Sequence, residues 1–221
     1  MPKPLPDNPQ MHDLPAALLF DCDGTLLLTA DLHFNGMAKA FEAQGLTLPR
    51  DWYLGLTGLD RRGLFARFAA EFGAEPDVAR LVADSVALTA GMAGAVRENP
   101  SVAAVARAAA GALPIAVVTN SEAAIATAAL RATGLAPLFE AIITVEDAVR
   151  PKPAPDLYTH AAARLGVAAS RCLVLEDSDQ GIAAAVAAGM RWADVRSPGW
   201  PARAAALCAQ IIAARVLAVT E

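Results

Sequence analysis

The spacing of apolar residues along this chain changes character twice. From residue 16 to 20 they run without a break, Ala-Ala-Leu-Leu-Phe, and stop abruptly at Asp21. A run that short and that apolar suits a strand buried on both faces, as in a parallel sheet covered by helices. Between about residues 30 and 95 the spacing becomes helical, and no strand pattern appears. Asp31 is placed to cap a helix bearing Phe34, Met37, Ala38 and Phe41 on one face, closed by Gly45. Asp60 is placed to cap a second, with Leu64, Phe65, Phe68 and Phe72 turned inward and Gly73 at its end. A third starts at Pro76-Asp77, with Val78, Leu81, Val82 and Val86 as its stripe. From about residue 98 short apolar runs alternate with helical stretches. Strands are expected at 114–118, 141–145, 172–175 and 191–195, and helices at 101–110, 122–133, 155–165, 182–188 and from Pro201 onward.

This pattern predicts an α/β fold: a Rossmann-like parallel sheet core with an inserted small α-helical cap domain. The core comprises residues 14–29 and 96–221, and the cap residues 30–95, with linkers near 28–31 and 94–99. Residues 1–13 are polar and Pro-rich without an apolar stretch, and read as a flexible tail rather than a signal peptide. In open α/β sheets ligands gather beyond the carboxyl ends of the strands. Here nearly every predicted strand ends in polar groups, and the helical insert would sit over that edge.

Composition narrows the picture. Hydrophobic residues make up 55% and charged residues 19%, with a net charge of −5. That is a globular balance. No basic stripe is present, so no nucleic-acid partner is expected. No apolar run reaches the roughly 18 residues of a membrane span, so no membrane partner is expected either. The cysteines (Cys22, Cys172, Cys208) are odd in number and widely spaced. They read as reduced core thiols of a cytoplasmic protein.

Four stretches carry candidate chemistry. Asp21 and Asp23 would repel each other unless a cation sits between them or one is protonated. A polar turn is the alternative for that pair taken alone. A D-x-D-x-D-G calcium loop is excluded, because the third Asp and the distal Glu are missing. Thr119-Asn120-Ser121 offers hydroxyls and amides where a strand passes into a helix, a place that binds anions or simply caps the helix. Lys152 lies in Arg-Pro-Lys-Pro-Ala-Pro, rigid enough to fix a positive charge near the site or to hold an exposed lysine. Glu176-Asp177-Ser178-Asp179-Gln180-Gly181 ends a buried strand in carboxylates suited to a divalent cation with oxygen ligands.

Taken together, DCDGTL at 21–26, TNS at 119–121, Lys152 with its following Pro, and EDSDQG at 176–181 resemble the haloacid dehalogenase superfamily of phosphotransferases. The resemblance covers residues 14–200, and the helical insert is similar to the cap of the branch containing phosphoglycolate phosphatases and β-phosphoglucomutase. It implies a Mg²⁺-dependent phosphatase acting on a small phosphorylated metabolite through an aspartyl-phosphate. Asp21 would be the nucleophile, and Asp23 the general acid and then base. Thr119 and the amide of Asn120 would hold the phosphoryl oxygens, with Lys152 offsetting charge. Asp21, Asp177 and the carbonyl of Asp23 would ligate Mg²⁺, with Glu176 supporting the metal shell. His33 matches a histidine that assists proton transfer in β-phosphoglucomutase, so a sugar-phosphate mutase is the alternative, although the cap's only lysine, Lys39, is placed for solvent. A haloacid dehalogenase is disfavoured because Asp23 is the acid that phosphate esters need, and an inactive scaffold because no motif is broken. Arg61 and Arg62, with His33, are the candidates for substrate choice. A monomer or homodimer is expected.

Overall fold

The structure is a computed structural model and describes residues 14–56 and 61–219. In chain order the elements are β1 (Ala17–Phe20), β2 (Leu27–Leu28), α1 (Ala30–Glu42), α2 (Arg50–Leu54), α3 (Arg61–Phe72), α4 (Val78–Gly91), β3 (Arg97–Glu98), α5 (Pro100–Ala109) and β4 (Ile115–Val118). There follow α6 (Ala123–Ala132), β5 (Ala141–Ile143), α7 (Asp156–Leu165), β6 (Cys172–Glu176), α8 (Asp179–Ala187), β7 (Arg191–Asp194) and α9 (Trp200–Val219). Five strands form a parallel sheet in the order β5-β4-β1-β6-β7, with β1 at its centre.

The unbroken apolar run of β1 follows from that central place. Leu18 and Phe20 pack on one face with α5, α6 and α9, while Ala17 and Leu19 pack on the other with α7 and α8. Both faces are dry, so alternation with polar residues is impossible. Each large side chain so buried contributes roughly 1.5–3 kcal/mol.

The insert between β2 and β3 has its own core, built on Met37, Phe41, Leu64, Phe65, Phe68 and Leu81. Several details differ from expectation. Thr29, not Asp31, is the N-cap of α1, and Asp31 sits in the first turn and pairs with Arg50. Asp60 lies outside the described residues, and α3 is described from Arg61. The five-residue α2 was not predicted. Asp77 does cap α4, accepting from the Arg80 amide at 3.0 Å. The fully buried residues of α4 are Leu81, Ser85 and Thr89, with the expected Val78 and Val82 partly buried against the insert core. The reason for Thr89 lies opposite, at Gly36 of α1, where a Cβ would come within 2.0 Å of Thr89 Oγ1. Only hydrogen admits so close a crossing, and the helical backbone of α4 absorbs the Thr89 hydroxyl at the Ser85 carbonyl, 2.6 Å away. Phe72 is 47% exposed, resting on Trp52 and Phe68 instead of entering the core.

In the core, β5 stops two residues short of its predicted end. Thr144 and Asp147 form a reciprocal capping box that turns the chain out of the strand. Helix α8 starts three residues early, because the Ser178 hydroxyl accepts from the Gly181 amide at 3.0 Å. The antiparallel pair β2–β3 was also unforeseen, and it ties the two crossings between insert and core side by side. No helix among the described residues is long and apolar enough to cross a membrane.

Candidate active site

Asp21 leaves the end of β1 with its amide on the Leu175 carbonyl, so the ends of β1 and β6 stand together. The chain then turns at Gly24, whose φ of 86° favours glycine. A Cβ there would also lie 2.1 Å from Asp177 Oδ2. This glycine thus lets the β1 loop close onto the β6 loop, and Thr25 completes the junction by donating to Asp177 Oδ1 at 2.8 Å. Gly181 does the same beneath Glu176, where a Cβ would meet Oε1 at 1.6 Å.

Asp21, Glu176 and Asp177 bring carboxylate oxygens within 4.8 Å of one another. Lys152 Nζ enters this cluster, donating to Asp21 Oδ1 and Glu176 Oε1, both at 2.7 Å, and to the Val118 carbonyl at 2.8 Å. Its loop is clasped by Asn120, which accepts from the Lys152 amide at 2.9 Å and donates to the Lys152 carbonyl at 3.1 Å. Glu176 is fully buried and saturated. Its Oε1 also accepts from Tyr158 at 2.9 Å, and its Oε2 accepts from the amides of Asp177 and Ser178 and from the Ser178 hydroxyl.

Electrostatics follow from burial. Burial, then the Glu176 charge, pushes the Asp21 carboxyl well above the usual range against the pull of Lys152. Burial also raises Asp177, with the Thr25 hydrogen bond opposing it. Burial opposes the charge on Lys152, but Asp21 foremost holds its ammonium well above the usual lysine range. One lysine among three carboxylates leaves excess negative charge in a dry place. A hard divalent cation with oxygen ligands fits that donor set.

Asp23 points away from the cluster. Its Oδ1 is 2.7 Å from His33 Nε2, and its Oδ2 accepts from Ser121 at 2.6 Å and Thr119 at 3.1 Å. Burial works to raise this carboxyl, but contact with His33 and the Ser121 hydrogen bond outweigh it and hold Asp23 well below the usual range. Arg61 Nη2 lies 3.3 Å from His33 Nδ1.

A cavity of about 760 Å³ opens from the aspartates toward the insert, with His33, Tyr53, Arg61, Arg62, Asn120, Glu122, Lys152 and Gln180 among its walls. The structure thus brings Asp21, Asp23, His33, Thr119, Asn120, Lys152, Glu176 and Asp177 into one place, with Arg61 buried at its edge and Arg62 exposed. The Asp23 carboxyl stands apart from the metal-binding cluster. Ser121, Thr25, Tyr158 and Glu122 were not singled out as site residues. Ser121 and Thr25 carried a signal, standing in the strand-end triplet with Thr119 and in the DCDGTL stretch.

A family model described as haloacid dehalogenase-like hydrolase matches residues 15–189. The chain belongs to the haloacid dehalogenase-like hydrolases. It is therefore an enzyme. Among curated relatives, the fructose-1-phosphate phosphatase YqaB of Escherichia coli is 34% identical over 187 residues, covering 84% of this chain and 99% of that protein. Protein CbbY of Rhodobacter capsulatus is 35% identical over 193 residues, 79% of this chain and 82% of its own. Among solved structures, CbbY from Rhodobacter sphaeroides in complex with phosphate superposes with a TM-score of 0.75 at 28% identity, covering 81% of this chain and 85% of that one. A β-phosphoglucomutase from Clostridium difficile, at 21% identity and a TM-score of 0.69, shares the fold. Within this hydrolase family the acidic cluster is the place for a divalent metal.

Proposed function

We propose that this hydrolase is a Mg²⁺-dependent phosphatase that cleaves the phosphate monoester of a small metabolite through an aspartyl-phosphate on Asp21. The observation that carries the reading is the convergence of Lys152 on Asp21 and Glu176 at 2.7 Å, beside an Asp23 held by its own donors. Two carboxylates two residues apart in the chain thus occupy different environments, which is how one fold assigns a nucleophile and an acid–base group.

In the first half-reaction an Asp21 oxygen attacks phosphorus and the ester oxygen leaves, taking a proton from Asp23. In the second, water attacks the same phosphorus and gives a proton to Asp23, releasing phosphate and restoring Asp21. The hydrogen bonds to Asp23 favour its carboxylate, which suits the second half. For the first half, the Thr119 and Ser121 hydroxyls turn from Asp23 to the phosphoryl oxygens as substrate enters, joined by the Asn120 amide, and the carboxyl regains its proton. Lys152 holds Asp21 in line and offsets charge on the phosphoryl group. Glu176, by its saturated oxygens, fixes Lys152 and backs the metal shell. Mg²⁺ held by Asp21 and Asp177, with the Asp23 carbonyl, would supply further charge for the equatorial oxygens.

The core is assigned to residues 14–29 and 96–221, and the cap to residues 30–95, with Arg61, Arg62 and His33 governing what fits beside the phosphate. YqaB is named for phosphate release from a sugar phosphate, and the sequence identity to it favours the same reaction class here. Lys39, exposed on α1, is absent from the cavity wall, which weighs against a mutase. The free cysteines fit a reducing cytoplasm. The test is phosphate release from phosphoglycolate, sugar phosphates, nucleotides and β-glucose 1-phosphate, with Mg²⁺ and with chelator. Mg²⁺-dependent release supports the reading, and isomerised sugar phosphate without release would overturn it in favour of a mutase.

A further inference from the structure

Resting on the phosphatase reading, we infer that the cavity beyond the aspartates is built for uncharged hydroxyl groups, and that Glu122 is the residue that turns away substrates with a second phosphate. Two features there could attract an anion, and a carboxylate of the chain already occupies each.

The first is Arg61. Its guanidinium is buried, with the side chain 7% exposed, and Nε donates to Glu122 Oε1 at 2.7 Å. Nη1 reaches Ser85 Oγ at 3.4 Å, and Nη2 reaches His33 Nδ1 at 3.3 Å. Buried guanidinium and half-buried carboxylate form a neutral unit. Its remaining N–H groups donate, and the free Glu122 oxygen accepts. A hydroxyl, which does both, satisfies the two sides, whereas a phosphate, which mainly accepts, meets a negative oxygen.

The second is the N-terminus of α6, beside the same wall. Its free amides would ordinarily draw an anion. Here the Glu146 carboxylate takes the Ala123 amide, at 3.1 and 3.2 Å. Away from the reactive corner, Arg61, Arg62, Glu122 and Glu146 all line the cavity, two charges of each sign, with Arg62 exposed. A second phosphate beside Arg61 would meet the Glu122 charge without gaining a free buried cation. Juxtaposed like charges discriminate strongly between ligands.

The substrate class is accordingly a phosphate monoester of a neutral polyhydroxylated carbon chain. The test compares fructose 1-phosphate with fructose 1,6-bisphosphate as probes, under Mg²⁺, by phosphate release. Wild-type protein is expected to favour the monophosphate in kcat/KM by about tenfold or more, and Glu122→Gln to shift that ratio toward the bisphosphate by about tenfold. The ratio is internal to each variant, so a partial loss of folded protein does not move it. If Glu122→Gln does not fold, Glu146→Gln, on the exposed rim, is expected to shift the ratio in the same direction. A wild-type preference for the bisphosphate, or an unchanged ratio in the folded variant, overturns the inference while leaving the phosphatase reading intact. Failure of wild-type protein to release phosphate from either probe or from p-nitrophenyl phosphate overturns that reading, and the inference with it.

Discussion

At the scale of single residues, charge balance in the site hangs on Lys152. It bridges two buried carboxylates, and removing one partner of a buried ion pair typically costs about 3–5 kcal/mol. Lys152→Met is expected to lower unfolding free energy by about that amount in urea denaturation, and adding Glu176→Gln to recover part of it. Asp21 behaves oppositely. Because burial raises its folded pKa, ligand-free protein loses stability as pH climbs from the ordinary carboxylate value toward the raised one. Asp21→Asn is therefore expected to melt higher than wild type in chelator at neutral pH, each kcal/mol gained appearing as about 2–4 °C. A lower melting temperature would contradict the assigned environment. Asp21, Asp23, Glu176 and Asp177 were legible in the sequence because carboxylates at the end of an apolar run have no packing rationale, and Lys152 because it stands in a rigid Pro-rich segment. Tyr158 was not legible. On paper it is one apolar residue of a helical stripe, and only the fold puts its hydroxyl on Glu176. Glu122 was equally silent, since its partner Arg61 lies across the cavity and far away in sequence.

At the scale of elements, the insert is held by an α1–α4 crossing that depends on Gly36. A Cβ at Gly36 would press not only on the Thr89 hydroxyl but on its Cα, at 2.9 Å. Gly36→Ala should cost about 1–3 kcal/mol, as overpacking does, and Thr89→Ala should relieve only part of it, because the Cα stays. Denaturant titration of the single and double variants measures this, and an Ala variant as stable as wild type would refute the tight crossing. Phe41 is fully buried while Phe72 is half exposed, so Phe41→Ala should cost about 3–5 kcal/mol and Phe72→Ala far less. The long elements were readable from periodicity, because each buries a face wide enough to leave a pattern. The five-residue α2 and the two-residue strands β2 and β3 bury too little for a period to show. The polar part of α4's buried face, Ser85 and Thr89, was not readable, because their hydroxyls are satisfied on their own helix backbone, while Leu81, Val78 and Val82 of the expected stripe do pack on the insert core.

At the scale of the whole molecule, insert and core meet through the reactive groups themselves. His33 reaches Asp23, and Arg61 reaches Glu122, so each pair joins a helix of the insert to a strand end of the core. A cap closing over the site in this way would exclude bulk water while a phosphoenzyme forms, and would open about its two linkers to exchange ligands. Cross-linking insert to core should then abolish turnover of bulky phosphate esters, and unchanged steady-state rates would argue against such motion. The run of helices between β1 and the later strands was readable in advance, since helical spacing interrupts the alternation after β1 and strand patterns resume only near residue 98. The contacts between the two parts were not, because they are made by single polar residues that local patterning does not constrain. The proposed function turns on phosphoryl transfer through Asp21. Its most direct test is acid quenching of the Mg²⁺-loaded protein during turnover of a ³²P-labelled sugar phosphate, followed by mapping of the hydroxylamine-sensitive label. Label on the peptide that contains Asp21 in wild-type protein, absent in Asp21→Asn, is the predicted result. Phosphate release without any such label, or with label retained in Asp21→Asn, would contradict it.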